Sequence, residues 1–285
     1  MHTTLISATE LQQLIASAAP LRLMDCSFDL MKPAAGRAQF EAEHLPGSVH
    51  VDLDEHLSDK AGADRASGGR HPLPSRDTFA ARLGALGVAN GMQVVVLDRA
   101  AIATSGRLWW MLKWCGHEAV AVLDGGLAAW KAAGGAVESG PAATPHATRF
   151  ELKEPLVQTR TAGAIAAAIG RPELTLIDAR AAARFRGETE PLDPVAGHIP
   201  GALNRPFTDN LAADGRFKPA AELRADFERL LAGRDPASVV HHCGSGVSAV
   251  PNLLAMEVAG LGRSSLFPGS WSEWCNTPGL PIAQG

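Results

Sequence analysis

The stretch His241-His242-Cys243-Gly244-Ser245-Gly246-Val247-Ser248-Ala249 is the part of the chain best suited to chemistry. It follows the run Ser238-Val239-Val240 and precedes a long apolar helical pattern, so Cys243 is expected at the end of a strand, opening a helix. The small residues Gly244, Ser245, Gly246 and Ser248, with Val247 among them, let the backbone curl tightly. Several N–H groups can then converge on the cysteine sulfur, with the positive helix end behind them. Such surroundings favour the thiolate, the nucleophilic form of cysteine. The alternative for these residues taken alone is a buried small hydrophobe before a glycine turn.

The elements that must position this loop come from a 285-residue chain, enough for about two domains, with 46% apolar residues to fill their cores. A net charge of −4 without like-charge runs gives no footprint for nucleic acid or a membrane surface. The amino terminus lacks a basic segment followed by an apolar core, and no membrane-spanning run occurs, so a cytoplasmic location is expected. Cys26, Cys115, Cys243 and Cys275 are widely spaced with no C-x-x-C pair, which argues for free thiols and against disulfides or a metal site. Neither a metal nor an organic cofactor is implied.

Ser7-Ala8-Thr9-Glu10 reads as a capping box for a helix to about residue 16, with Leu11, Leu14 and Ile15 on its apolar face. Strands are expected over 21–26, 49–53, 92–98 and 119–123, and helices over 75–86, 105–115 and around Trp130. A polar, glycine-rich loop covers 58–74. The second half repeats this order: Leu176-Ile177-Asp178 matches Leu23-Met24-Asp25, His198-Ile199-Pro200-Gly201 matches His44-Leu45-Pro46-Gly47, and Phe267-Pro268-Gly269-Ser270 matches Leu123-Asp124-Gly125-Gly126. The chain therefore reads as two α/β domains with mostly parallel sheets, 1–140 and 159–285, joined by a linker over 141–158. Aligning the copies sets Asp98 against Cys243, so only the second copy carries the thiol and its glycines.

These motifs resemble the tandem-domain rhodanese-type sulfurtransferases over nearly the whole chain. The stretch 40–49 looks like the family's first signature, 267–274 like its C-terminal signature, and C-G-S-G-V-S at 243–248 is similar to the loop of the 3-mercaptopyruvate branch. The resemblance implies two rhodanese-like domains and a persulfide on Cys243. The sulfur would come from a small donor and pass to a small thiol, cyanide or a thioredoxin-like dithiol. It further implies that Ser245 works with His71 and Asp54 in moving a proton, and that Arg184 binds the donor's carboxylate. The loop residues Gly244, Gly246, Val247 and Ser248 would cradle the sulfur. One departure stands out: the family's second arginine lies in a Glu-Pro-Arg segment, and here Glu190-Pro191 is followed by Leu192. Arg186 is the sequence's candidate to replace it, and the departure keeps thiosulfate open as the donor.

Two other functions compete. A phosphatase on the same fold needs a C-x5-R loop, and Ala249 stands where that arginine would be. A persulfide carrier that turns over no small donor is the non-enzymatic alternative. His241 and His242 are expected on opposite strand faces, unsuited to one metal. His44 and His198 read as turn residues, Arg180 as half of a structural ion pair, and Trp109, Trp110, Trp114, Trp271 and Trp274 chiefly as packing.

Overall fold

The computed structural model of the chain describes residues 1–141 and 144–285; residues 142 and 143 of the expected linker lie outside them. The chain forms two compact units, each drawing on separate stretches of sequence. One comprises Met1–Asp59, Pro74–Leu156 and Ala212–Phe217; the other comprises Lys60–Leu73, Val157–Leu211 and Lys218–Gly285. The glycine-rich loop of the first repeat thus belongs largely to the second unit.

In the first unit the elements are β1 (Leu5–Ile6), α1 (Ala8–Ala16), β2 (Leu21–Asp25), α2 (Ala34–Ala42), β3 (Val49–His50), α3 (Arg76–Ala85), β4 (Gln93–Leu97), α4 (Ala103–Trp114), β5 (Val120–Leu123) and α5 (Gly126–Ala132). The strands form one parallel sheet in the order β1-β5-β4-β2-β3. Helices cover both faces, which is why every residue of the apolar β4 is buried. Ser7 and Glu10 form the expected capping box. Leu11 is fully buried beneath it, whereas Ile15 is exposed rather than part of the packed face. The strand expected over 49–53 stops at His50. Val51 donates to Asp25 O at the end of β2, and Asp52 opens a turn by accepting from the N–H groups of Asp54 and Glu55. The helix α2, which the sequence reading left out, buries only Gly36 and Phe40 and so shows little apolar periodicity.

The second unit contains α6 (Ala162–Ala168), β6 (Thr175–Asp178), α7 (Ala182–Phe185), β7 (Leu203–Asn204), α8 (Ala220–Leu231), β8 (Val239–His242), α9 (Val250–Val258), β9 (Ser265–Leu266) and α10 (Ser270–Trp274). Its sheet is also parallel, in the order β7-β6-β8-β9, and a bridge from Thr159 to Leu266 repeats the β1–β5 pairing. Ile165, Leu176, Ile199, Val240, Phe267, Trp271 and Trp274 pack one core, so both tryptophans are core residues. The repeat extends to detail. His44 and His198 stack on Phe40 and Phe185 with ring centroids 3.9 Å apart, and each bonds the carbonyl of that phenylalanine through Nδ1. Both histidines therefore hold turns. No helix of the described residues is long and apolar enough to cross a membrane.

The strand order reverses between β6 and β8. In parallel sheets ligands bind outside the carboxyl ends of the strands at such a point. Arg184, in the short helix α7 that follows β6, and Cys243, in the loop that leaves β8, lie after these strands.

Candidate active site

Cys243 directly follows β8, but it does not open a helix: α9 begins only at Val250, with Pro251 in its first turn. A proline is tolerated there because that N–H has no helical acceptor, and it marks the helix start the sequence expectation placed too early. Residues 243–249 instead form a tight loop. Cys243 is 1% exposed and Ser245 6%.

Three backbone-level contacts pin this loop to α10. Cys243 N–H donates to Ser270 Oγ at 3.1 Å, Trp271 N–H to Cys243 O at 3.0 Å, and Ser272 N–H to Gly244 O at 2.8 Å. Gly246 has φ +74°, and a Cβ there would collide with Pro268 O, so both backbone conformation and close approach demand glycine. Held this way, the N–H groups of Gly244, Ser245, Val247, Ser248 and Ala249 have no protein acceptor among the described residues. Buried amides are almost always paired, so five orphans beside one cysteine mark a place made for an anion.

His71 and Ser245, which the resemblance pairs, lie together: Ser245 Oγ and His71 Nδ1 share a hydrogen bond of 2.7 Å, with His71 2% exposed. The loop carrying His71 is docked by Arg70 N–H on Ser272 Oγ at 2.9 Å. Asp54 lies in the first unit, in the turn after β3, where its N–H donates to Asp52 Oδ1.

Arg184 is mostly buried and paired to Glu190 at 2.6 Å, leaving the guanidinium beside the cysteine loop. A methyl group placed on Gly244 would lie 3.5 Å from Arg184 Nη1 and 3.2 Å from Arg70 Nη2. Arg186 does not join them; it is 45% exposed and paired to Glu188 at 2.6 Å, because it caps the end of α7 facing solvent. Sequence reasoning missed Arg70, Glu190 and Asp193. The available signal for Arg70 was a cation next to His71 in a glycine-rich loop.

Behind these groups runs a line of alternating charges: Asp178–Arg180 at 2.6 Å, Arg180–Glu190 at 3.3 Å, Glu190–Arg184 at 2.6 Å, Arg184–Asp193 at 3.5 Å and Asp193–Arg70 at 2.6 Å. Burial works against the charge on Asp178, but His242 and the paired Arg180 together hold its carboxyl below the usual range. Burial lowers His242, with Asp178 4.0 Å away opposing the shift, and pushes His241 down to about 3. His241 meets Met256 Sδ and the edge of Phe227, so the two histidines engage different partners. Burial raises Asp193, with Glu190 adding to the effect and Arg70 opposing it. Chemically the assembly offers a buried thiol, an anion-ready loop, a serine–histidine pair for proton movement and two guanidinium groups.

Known proteins share this arrangement of domains. The rhodanese-like domain family matches residues 7–133 and 161–277. The chain is 44% identical over 277 residues to a probable 3-mercaptopyruvate sulfurtransferase of Pseudomonas aeruginosa, covering 96% of each. It is 41% identical over 284 residues to a putative thiosulfate sulfurtransferase, SseB, of Mycobacterium tuberculosis, covering 99% of this chain and 97% of that one. The crystal structure of the 3-mercaptopyruvate sulfurtransferase SseA from Escherichia coli superposes with a TM-score of 0.79 at 31% identity, over 95% of this chain and all of that one. The chain therefore belongs to the rhodanese family and carries two rhodanese-like domains in tandem.

Proposed function

We propose that the chain is a sulfurtransferase that takes sulfane sulfur from 3-mercaptopyruvate onto Cys243 and passes it to a nucleophilic acceptor. The observation that carries this reading is the set of five orphaned amides in the loop that begins with the buried Cys243. A persulfide anion supplies the charge those donors lack.

In the first half-reaction the Cys243 thiolate attacks the donor's sulfur. The donor's C–S bond breaks, its electron pair remains on carbon as the pyruvate enolate, and a Cys243 persulfide forms. The enolate carbon takes a proton relayed through Ser245 and His71, and Arg184 holds the donor carboxylate. In the second half-reaction a thiolate acceptor attacks the outer persulfide sulfur, and the Cys243 thiolate leaves. A small thiol, a thioredoxin-like dithiol or cyanide can serve, and the kinetics are ping-pong. Asp54, which the resemblance assigns to the same proton relay, is tested by Asp54→Asn. The free thiols suit a reducing compartment and hence the cytoplasm.

Thiosulfate is the second reading. It is favoured by the name of the Mycobacterium tuberculosis relative and by Leu192 in the place of the family's second arginine. Steady-state kcat/KM for both donors, with a thiol acceptor and then cyanide, tests the choice in wild type and Cys243→Ser. Preference for 3-mercaptopyruvate that vanishes in Cys243→Ser is the expected result. Preference for thiosulfate overturns the donor. Turnover of neither, with persulfide still formed on Cys243, would make the chain a carrier.

A further inference from the structure

We infer that the first unit carries a binding site of its own, a groove beside Trp130 that takes a small, uncharged, branched aliphatic molecule. The groove has a volume of about 460 Å³ and is lined chiefly by Ile15, Leu21, Leu23, Leu45 and Trp130. That volume lies within the range of small-molecule sites, about 300–1,000 Å³. Among the described residues, no Asp, Glu, Lys, Arg or His lines it.

The second copy shows what fills such a groove. Counted from the N-caps Ser7 and Thr161 and from the matching strands and turns, Leu11, Leu23, Leu45 and Trp130 of one core are the counterparts of Ile165, Leu176, Ile199 and Trp274 of the other. Ile169 and Leu280 pack on the second cluster. Ile15, the counterpart of Ile169, is instead 43% exposed. The difference lies in the connection that follows each tryptophan. Both connections end in an antiparallel bridge to the turn histidine, Glu138 to His44 and Ala283 to His198. In both, the indole N–H donates to a carbonyl of the connection, Ala136 O at 2.7 Å and Pro281 O at 2.8 Å. The residue before that carbonyl is Leu280 in the second copy and Gly135 in the first, and a Cβ on Gly135 would strike the Trp130 indole. The first copy therefore cannot supply the leucine from its own chain. What stays open in the second copy runs along Leu174 and Pro200 toward Arg234 and Asp235, without Trp274 in its lining.

The chemistry of the occupant follows from what is missing. His44 and Glu138 already exchange both backbone hydrogen bonds at 2.9 Å, so the edge where a peptide strand would add is taken, and the groove lacks a side chain and not a strand. Leu280 identifies that missing group as branched and aliphatic. An ionised ligand would bury its charge among apolar groups without a partner, which excludes it. One polar anchor is present: Gln12 Nε2 donates to Ala133 O at 2.9 Å, and Gln12 Oε1 has no hydrogen-bond partner among the described residues. The class that fits is a branched aliphatic alcohol, its alkyl body in the place that Leu280 takes in the second copy and its hydroxyl donating to Gln12.

The test titrates the full chain with menthol and follows the Trp130 indole N–H resonance, identified by its loss in Trp130→Phe. Wild type should show a saturable shift. Ala136→Leu, which sets a leucine on the lining segment, should abolish it, and Ile15→Asp, which sets a charge there, should raise the Kd for menthol at least about tenfold. Both positions are exposed, and unchanged thermal unfolding of the two variants separates a blocked groove from a lost fold. No saturable shift in wild type, or an unaltered one in Ala136→Leu, would overturn the site. A shift given by a peptide copying Pro278–Pro281 and not by menthol would assign the groove to a protein partner. A shift on raising the protein concentration alone, with dimers in sedimentation, would assign it to a second copy of the chain. Either result would overturn the small-molecule assignment.

Discussion

The loops after β4 and β8 leave the central strands of two copies of one sheet, and they treat their backbone amides in opposite ways. In the first, Asp98 Oδ1 accepts from the N–H groups of Ala100 and Ile102, and Oδ2 from those of Thr104 and Ser105 and from Ser105 Oγ. In the second, Cys243 replaces the aspartate, and five N–H groups find no protein acceptor among the described residues. One loop carries its anion permanently, and the other is built to receive one. The filled loop also holds Ala101 and Ile102 at φ +55° and +68°, a conformation a β-branched residue rarely adopts and one the carboxylate must secure. On the proposed function, reactivity in the second copy arises by leaving out an internal counter-charge while keeping the loop that would bind it.

The comparison breaks most sharply at Gly246. Gly246→Ala places a Cβ against Pro268 O at a positive φ, and kcat/KM for sulfur transfer should fall at least ~100-fold, in proportion to the misplacement that a closed site tolerates poorly. Asp98→Asn keeps one acceptor but turns an NH2 toward the donors of Thr104 and Ser105. The first unit should lose about 3 kcal/mol in denaturant unfolding, with kcat/KM unchanged.

The next effect is the pH dependence that His241 contributes in the second copy. His241 is buried neutral and titrates near 3 in the folded chain, against about 6.5 when unfolded. Its contribution to stability is complete above the unfolded value and is lost as pH falls from about 6.5 toward 3. His241→Leu should flatten that part of the stability profile by close to one proton, measured as unfolding free energy against pH.

The smallest effect is at Ser270, which sits at φ +54° where the first copy has Gly126 at +55°. Ser270→Ala keeps the strained backbone and loses the acceptor for Cys243 N–H, costing about 1 kcal/mol. Ser270→Gly loses the same bond but relieves strain of about 1 kcal/mol, so its stability should match wild type. Equal losses in both variants would show that the backbone there is not strained.

The two-copy architecture was legible because apolar strands and turn motifs recur in order, and that pattern is local. Cys243 was singled out by its glycine-rich loop and Ser245 and Arg184 by compact family motifs, and the structure places the three beside one another. The start of α9 was misplaced because small residues after Cys243 suit a helix N-terminus and a loop equally, and only Pro251 distinguishes them. Arg70 was not legible because its meaning depends on packing a loop from the first repeat against α10, a contact 202 residues away in sequence. Its neighbour His71 was named only through the family resemblance, and a lone arginine in a glycine-rich loop has no pattern of its own.

The line of charges from Asp178 to Arg70 contains three carboxylates and three guanidinium groups and is electrically balanced before any donor arrives. On the proposed function, a donor carboxylate held by Arg184 adds a fourth negative charge near Asp193, whose carboxyl burial already raises. Binding should therefore draw a proton from solvent onto Asp193, because the complex favours that neutral form more than the free protein does. Donor binding becomes proton-linked, tightening as pH falls and releasing heat that changes with the ionisation enthalpy of the buffer.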